Sequence, residues 1–132
     1  MNNKGCTLVE LLTSIAVFAI GATSLLGVCT QSMSMARRAE MAYTAYNLAK
    51  NHLETLASVP FTDLASSSEV STVLDESGVP DLSGQYIRNT EITSNYQGDA
   101  NLIRAKVTVA YNMRGTASRN PMEMTSVIYR NG

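Results

Sequence analysis

From Cys6 to Ala36 the chain carries one charged residue, Glu10, and between Cys6 and Val28 it is dominated by Leu, Ile, Val and Ala. About 20 such residues, at about 1.5 Å rise each, cross a hydrocarbon core about 30 Å thick. The stretch therefore reads as a membrane-spanning helix. A carboxylate inside it costs roughly 2–4 kcal/mol even on lenient insertion scales, so Glu10 calls for a cation or for a position at the headgroups. A cleaved secretory signal would be cut after the apolar run at a small-x-small sequence. Here the small residue, Gly5, precedes the run, behind the polar leader Met1-Asn2-Asn3-Lys4. A lipid-anchored cysteine would likewise follow the apolar segment, whereas Cys6 precedes it.

These residues carry a family resemblance. Lys4-Gly5 followed by Cys6-Thr7-Leu8-Val9-Glu10-Leu11-Leu12 resembles the prepilin signature of type IV pilins and type II secretion pseudopilins. The resemblance implies that a prepilin peptidase cuts between Gly5 and Cys6 and methylates the new amine on Cys6, with Lys4 as the basic residue of the leader. It departs from the family at Cys6, where Phe or Met is usual. It further implies that Glu10 pairs with the terminal amine of a neighbouring subunit during assembly. The competing reading is a Glu10 that snorkels to the headgroups from its place near the helix start. Orientation also follows from the resemblance, with the amino terminus cytoplasmic and the rest exported. Lys4 on one side and Arg37 and Arg38 on the other leave the charge rule nearly balanced.

Past the span, Met35, Ala39, Ala42, Tyr46, Ala49, Leu53 and Leu56 recur at alternating steps of four and three, the mark of one apolar helix face. The expected helix runs from about Thr7 to about Ala57, half in lipid and half amphipathic, and Pro60 ends it. Gly21 and Gly27 are its weak points, each costing up to about 1 kcal/mol relative to Ala, and are the candidate positions for local melting on assembly. Residues 58–84 are rich in Ser, Asp and Glu and contain no Lys or Arg. They read as a long acidic connection pinned by Phe61, Leu64, Val70, Val73 and Leu74. Asp75, Glu76 and Asp81 match no calcium-loop spacing.

Strands are expected over 85–93, 101–113 and 123–130, separated by turn signals at Gln97-Gly98-Asp99 and Arg114-Gly115. In the second of these, Ile103, Ala105, Val107, Val109 and Tyr111 share a face, with Arg104, Lys106 and Thr108 on the other. The fold class that results is α+β: a pilin-like lollipop, a long N-terminal helix packed on a small antiparallel sheet of about three or four strands, with Tyr46, Leu53 and Leu56 against Ile103, Val107 and Val109. The expected organisation is a cleaved leader at 1–5, a membrane and assembly half of the helix at 6–28, an amphipathic half at 29–57, the acidic connection at 58–84 and the sheet at 85–132.

Composition excludes several classes. A net charge of −1 offers no bulk attraction to nucleic acid. Cys6 and Cys29, the two cysteines, are separated by about 35 Å of helix, so no internal disulfide and no CxxC site is expected. His52 is the single histidine and reads as a plain surface residue, so no catalytic, cofactor or metal site is expected. The prepilin resemblance implies a structural subunit, and Tyr-Ile-Arg at 86–88, Lys-Val-Thr-Val at 106–109 and Ser-Val-Ile-Tyr-Arg at 126–130 resemble those of a minor pilin of the pilus-modification type or a minor pseudopilin. Its partners would be other pilin or pseudopilin subunits, the prepilin peptidase, an inner-membrane assembly platform and the membrane itself. It would start as a single-pass inner-membrane protein with a periplasmic head and end in an envelope filament or at the cell surface. Two alternatives remain open. One is a DNA-uptake pilin using a basic sheet face of Arg88, Arg104, Lys106, Arg114, Arg119 and Arg130; the other is a solitary single-span anchor whose head binds a periplasmic partner.

Overall fold

The computed structural model describes residues 7–113, 115–118 and 120–130. Lys4, Gly5, Cys6, Arg114 and Arg119 lie outside them. The chain divides into two compact units, Met1–Ala39 and Glu40–Gly132.

One helix, α1 (Leu8–Ser58), supplies the first unit and opens the second. Its start is fixed locally. The Thr7 hydroxyl oxygen accepts the Glu10 amide at 3.3 Å, and the Glu10 carboxylate accepts the Thr7 amide and hydroxyl at 3.4 Å each. This reciprocal Thr-x-x-Glu arrangement satisfies amide donors that a helix start leaves without intrahelical partners. The end is set by Pro60, and Val59 closes the last turn by donating to the Leu56 carbonyl at 3.1 Å. The helix passes through Gly21 and Gly27 without a break.

The second unit is a helix on a sheet. Strands β1 (Glu69–Leu74), β2 (Tyr86–Ser94), β3 (Leu102–Met113) and β5 (Met122–Tyr129) lie in the order β1-β2-β3-β5, each antiparallel to its neighbour, and the two-residue β4 (Thr116–Ala117) pairs with the end of β3. The α+β meander expected from the sequence is what forms. β3 shows why: its residues alternate strictly, with Ile103, Ala105, Val107 and Val109 buried and Leu102, Arg104, Lys106 and Thr108 half-exposed. The buried row meets Ala45, Leu48, Ala49, Leu53 and Leu56 of α1, and Leu64, Leu74 and Tyr86 complete the core. Ala45 and Ala49 have no exposed surface, and two such small side chains let the helix backbone approach the sheet. Each fully buried Leu or Val contributes roughly 1.5–3 kcal/mol.

Three expectations are corrected. Tyr46 does not cover the sheet; it is 44 % exposed, and Ala45, Leu48 and His52 take the inward positions instead. At about 100° per residue, Tyr46 lies about 90° from the centre of the face formed by residues 45, 48, 49, 52, 53 and 56. The stripe read from the sequence was therefore turned toward one edge of the true contact. Second, the segment 58–84 is not only a connection. It contains a short 3₁₀ turn (Leu64–Ser66) and the edge strand β1, and of the residues expected to pin it Leu64 and Leu74 are fully buried while Val70 is 86 % exposed.

Third, Arg88 faces inward. Along β2 it shares a face with Tyr86 and Thr90, and all three are buried. A β-bulge supplies its partner. Thr72 pairs with Arg88 and Glu69 with Thr90, so Val70 and Ser71 together oppose Asn89. Ser71 takes a left-handed conformation (φ 52°), and its amide donates to Asn89 Oδ1 at 2.7 Å. The extra residue turns Val70 outward and Glu69 inward.

Candidate assembly site

The first unit is apolar on every side. Leu8, Val9, Leu11, Leu12, Ile15, Val17, Phe18, Ile20, Leu25, Leu26 and Val28 are each more than half exposed. A helix of this length and composition can cross a membrane, and among the described residues none of its most apolar window is buried. So much contiguous apolar surface is a site for lipid or for another protein. The hydroxyls within it are satisfied by the helix itself: Thr13 donates to the Val9 carbonyl at 3.0 Å, Ser14 to Glu10 at 2.7 Å, Thr23 to Ala19 at 3.0 Å and Ser24 to Ile20 at 2.8 Å. These bonds leave the backbone ladder and the hydroxyls paired within the segment, as hydrocarbon requires.

Glu10 sits in the first turn of α1, where the partial positive charge of the helix start favours a carboxylate. Its contacts with Thr7, at 3.3–3.4 Å, are at the long end for hydrogen bonds. Gly21 and Gly27 are helical, and a Cβ at either would meet no other group within 4 Å. The signal for this cap in the sequence is Thr7 three residues ahead of Glu10, just before the apolar run.

The head holds a second polar group. Arg88 donates through Nε to Glu69 Oε2 at 2.8 Å and through Nη2 to Oε1 at 3.1 Å, a two-pronged ion pair whose arginine is 10 % exposed. His52 Nε2 lies 3.1 Å from the Thr90 hydroxyl and 3.9 Å from Glu69 Oε2. His52 is thus not a plain surface residue, and its side chain is 13 % exposed. Burial, and secondarily the Arg88 charge, push its pKa below the usual 6.5 against the opposing pull of Glu69.

Among the described residues, the basic side chains of the sheet do not form an open cationic face. Besides the buried Arg88, Arg104 pairs with Glu91 at 3.6 Å, donates to the Thr93 hydroxyl at 3.2 Å and stacks over the Tyr96 ring, and Lys106 pairs with Glu123 at 3.0 Å. Arg130 lies over the Phe61 ring, 5.2 Å from its centre. The acidic residues of the connection are engaged in turns. Asp75 accepts the amides of Ser77 and Val79, and Asp81 accepts the Ser83 amide and hydroxyl, which hold its carboxyl below the usual range. Among the described residues no cluster of three or more His, Cys, Asp or Glu could hold a metal.

Residues 1–26 match the prokaryotic N-terminal methylation motif, which is typical of type IV pilins and pseudopilins. The match covers the leader, the Gly5-Cys6 junction, Glu10 and most of the apolar segment, and it supports a subunit of the pilin or pseudopilin type, a structural class. Comparison of the chain with curated proteins and with solved structures gave no match.

Proposed function

We propose that this chain is a structural subunit of a bacterial envelope filament, a minor pilin of a type IV pilus or a minor pseudopilin of a type II secretion system. The observation that carries the reading is the conjunction of the methylation motif at residues 1–26 with an apolar helix whose surface is exposed among the described residues. In this reading the peptidase removes residues 1–5, residues 6–28 remain in the inner membrane with their start at the cytoplasmic face, and the head is exported. The helix then leaves lipid for a bundle of neighbouring helices on an assembly platform, exchanging one apolar environment for another.

Hydrophobic contact of that kind has no preferred axial position, so something polar must set it. Glu10 serves that role by pairing with the methylated amine on Cys6 of an adjacent, axially staggered subunit. Low dielectric strengthens the pair, and register is the best-attested use of a buried charge. The long Thr7 contacts can yield to a full cation without dismantling the helix, because the backbone bond from the Leu11 amide to the Thr7 carbonyl, 3.1 Å, closes the first turn independently. Gly21 and Gly27 are the places where the helix would loosen if assembly requires it.

Glu10→Leu separates charge from hydrophobicity. The variant is expected to insert and to be cut after Gly5 like the wild type, yet to be missing from sheared filaments. Wild-type amounts in the filament fraction would overturn the pairing. A solitary anchor would gain nothing from the cut at Gly5 and would be indifferent to Glu10.

A further inference from the structure

The Glu69–Arg88–His52–Thr90 group in the head is not used by assembly through the stem. It joins three elements: His52 comes from α1, Glu69 from β1, and Arg88 and Thr90 from β2. The register partners of Thr90 and Arg88 on β3 are Val107 and Val109, both fully buried, so β3 brings no charge to the group. The nearest charges on α1, Lys50 and Glu54, pair with each other at 3.8 Å and are more than half exposed. Among the described residues one carboxylate therefore serves the whole group, and its Oε2 is the oxygen that faces both Arg88 Nε and His52 Nε2.

We propose that His52, with the Glu69–Arg88 pair, is a proton-operated latch that holds the start of edge strand β1, residues 69–72, on the head and lets it lift from β2 on acidification. With neutral His52, the charges of Glu69 and Arg88 balance and Nε2 can accept the Thr90 hydroxyl. A proton on the imidazole puts a second cation on a carboxylate already engaged by Arg88, leaving one positive charge in excess in a largely dry site. Lifting the start of β1 relieves this by admitting water to the imidazole.

The strand is suited to move at one end. Its end is anchored, because Leu74 bridges Pro80 and is fully buried and Val73 accepts the Asp81 amide at 3.0 Å, but its start, residues 69–72, is an edge whose ladder with β2 is already interrupted by the bulge. The direction follows from linkage. At pH well above 6.5 the ring is neutral whether β1 is seated or lifted, and the latch is closed. As pH falls through 6.5 a lifted state that exposes the ring to water takes up the proton first, because in the seated state burial, the largest influence on the ring, together with the Arg88 charge outweighs the pull of Glu69. For one proton the ratio of lifted to seated molecules grows by up to about tenfold per pH unit, until the seated form also protonates.

The chain has one histidine, so its ring resonances report His52 without assignment variants. The test uses the full chain in detergent micelles between pH 7.5 and 5.0, above the ordinary carboxylate range. Ring titration by NMR is combined with hydrogen exchange of the 69–72 segment, corrected for intrinsic rate. The expected result is a ring midpoint below 6.5 and a several-fold or greater loss of protection in β1 over the same interval, with β3 unchanged. His52→Gln, which keeps a neutral partner for Thr90, should abolish the pH response of β1. A ring midpoint at or above 6.5, protection that does not vary with pH, or an equal loss in His52→Gln would each overturn the latch. Should His52→Gln fail to fold, the wild-type titration and exchange still decide.

Discussion

Glu69→Ala is the change that most directly tests how the head is held together. Removing a carboxylate from a buried pair costs more than the pair contributed, because the remaining cation keeps its desolvation without compensation; for fully buried pairs the loss is about 3–5 kcal/mol. Arg88 fits that description with 10 % of its side chain exposed, but Glu69 is 33 % exposed, so water can partly replace it. The expected loss is therefore reduced to about 2–3 kcal/mol. For a domain of this size that corresponds to a fall in melting temperature of roughly 8–24 °C. Near-ultraviolet circular dichroism of the tyrosines, read on the full chain in micelles, follows the head while the stem stays helical. The double variant Glu69→Leu with Arg88→Met removes both charges and should lie within about 1.5 kcal/mol of wild type. If the single variant loses less than about 1 kcal/mol, or the double loses as much as the single, the buried cation is not what makes Glu69 necessary.

Gly84→Ala should destabilise the head sharply or prevent its folding, because a Cβ there would overlap the Leu74 backbone; expression yield and thermal melting report it. Leu64→Ala, at a position with no exposed surface, should cost about 2–5 kcal/mol by denaturant titration, whereas Tyr46→Ser should cost less than about 1 kcal/mol. Intact mass of membrane-extracted protein from a cell with an active prepilin peptidase should begin at Cys6, and a chain that retains Met1 would contradict the processing.

Much of this architecture was legible in the sequence. The helix was expected over 7–57 and spans Leu8–Ser58, and β2, β3 and β5 fall within one or two residues of their expected bounds. Long periodic segments carry such information redundantly. The helix face was harder. Tyr46 and Leu48 are both apolar, and the sequence does not say which of two overlapping stripes meets the sheet; the two fully buried alanines decided it by allowing close approach. β1 escaped notice because its bulge breaks the period-two pattern and its setting is rich in Ser, Asp and Glu. His52 looked inert because its partner Thr90 is 38 positions away along the chain, and nothing local announces a contact at that range. The stem was read from composition and motif together, and the motif match at residues 1–26 rests on the same residues.

The bulge in β1 has a bearing on how this chain can change in length. Within a regular strand, losing one residue inverts the facing of everything beyond it, which is why strands tolerate deletions poorly. Here Val70 and Ser71 share one partner, Asn89. Dropping either would turn two opposite one into one opposite one, with Glu69 still across from Thr90 and Thr72 still across from Arg88. A relative one residue shorter at this point could therefore keep its charge pair, whereas a loss at Val73 would shift Thr72 and everything before it by one position and turn Glu69 outward. Length variation in this head should accordingly collect at residues 70 and 71, even though they lie inside a strand and not in a loop.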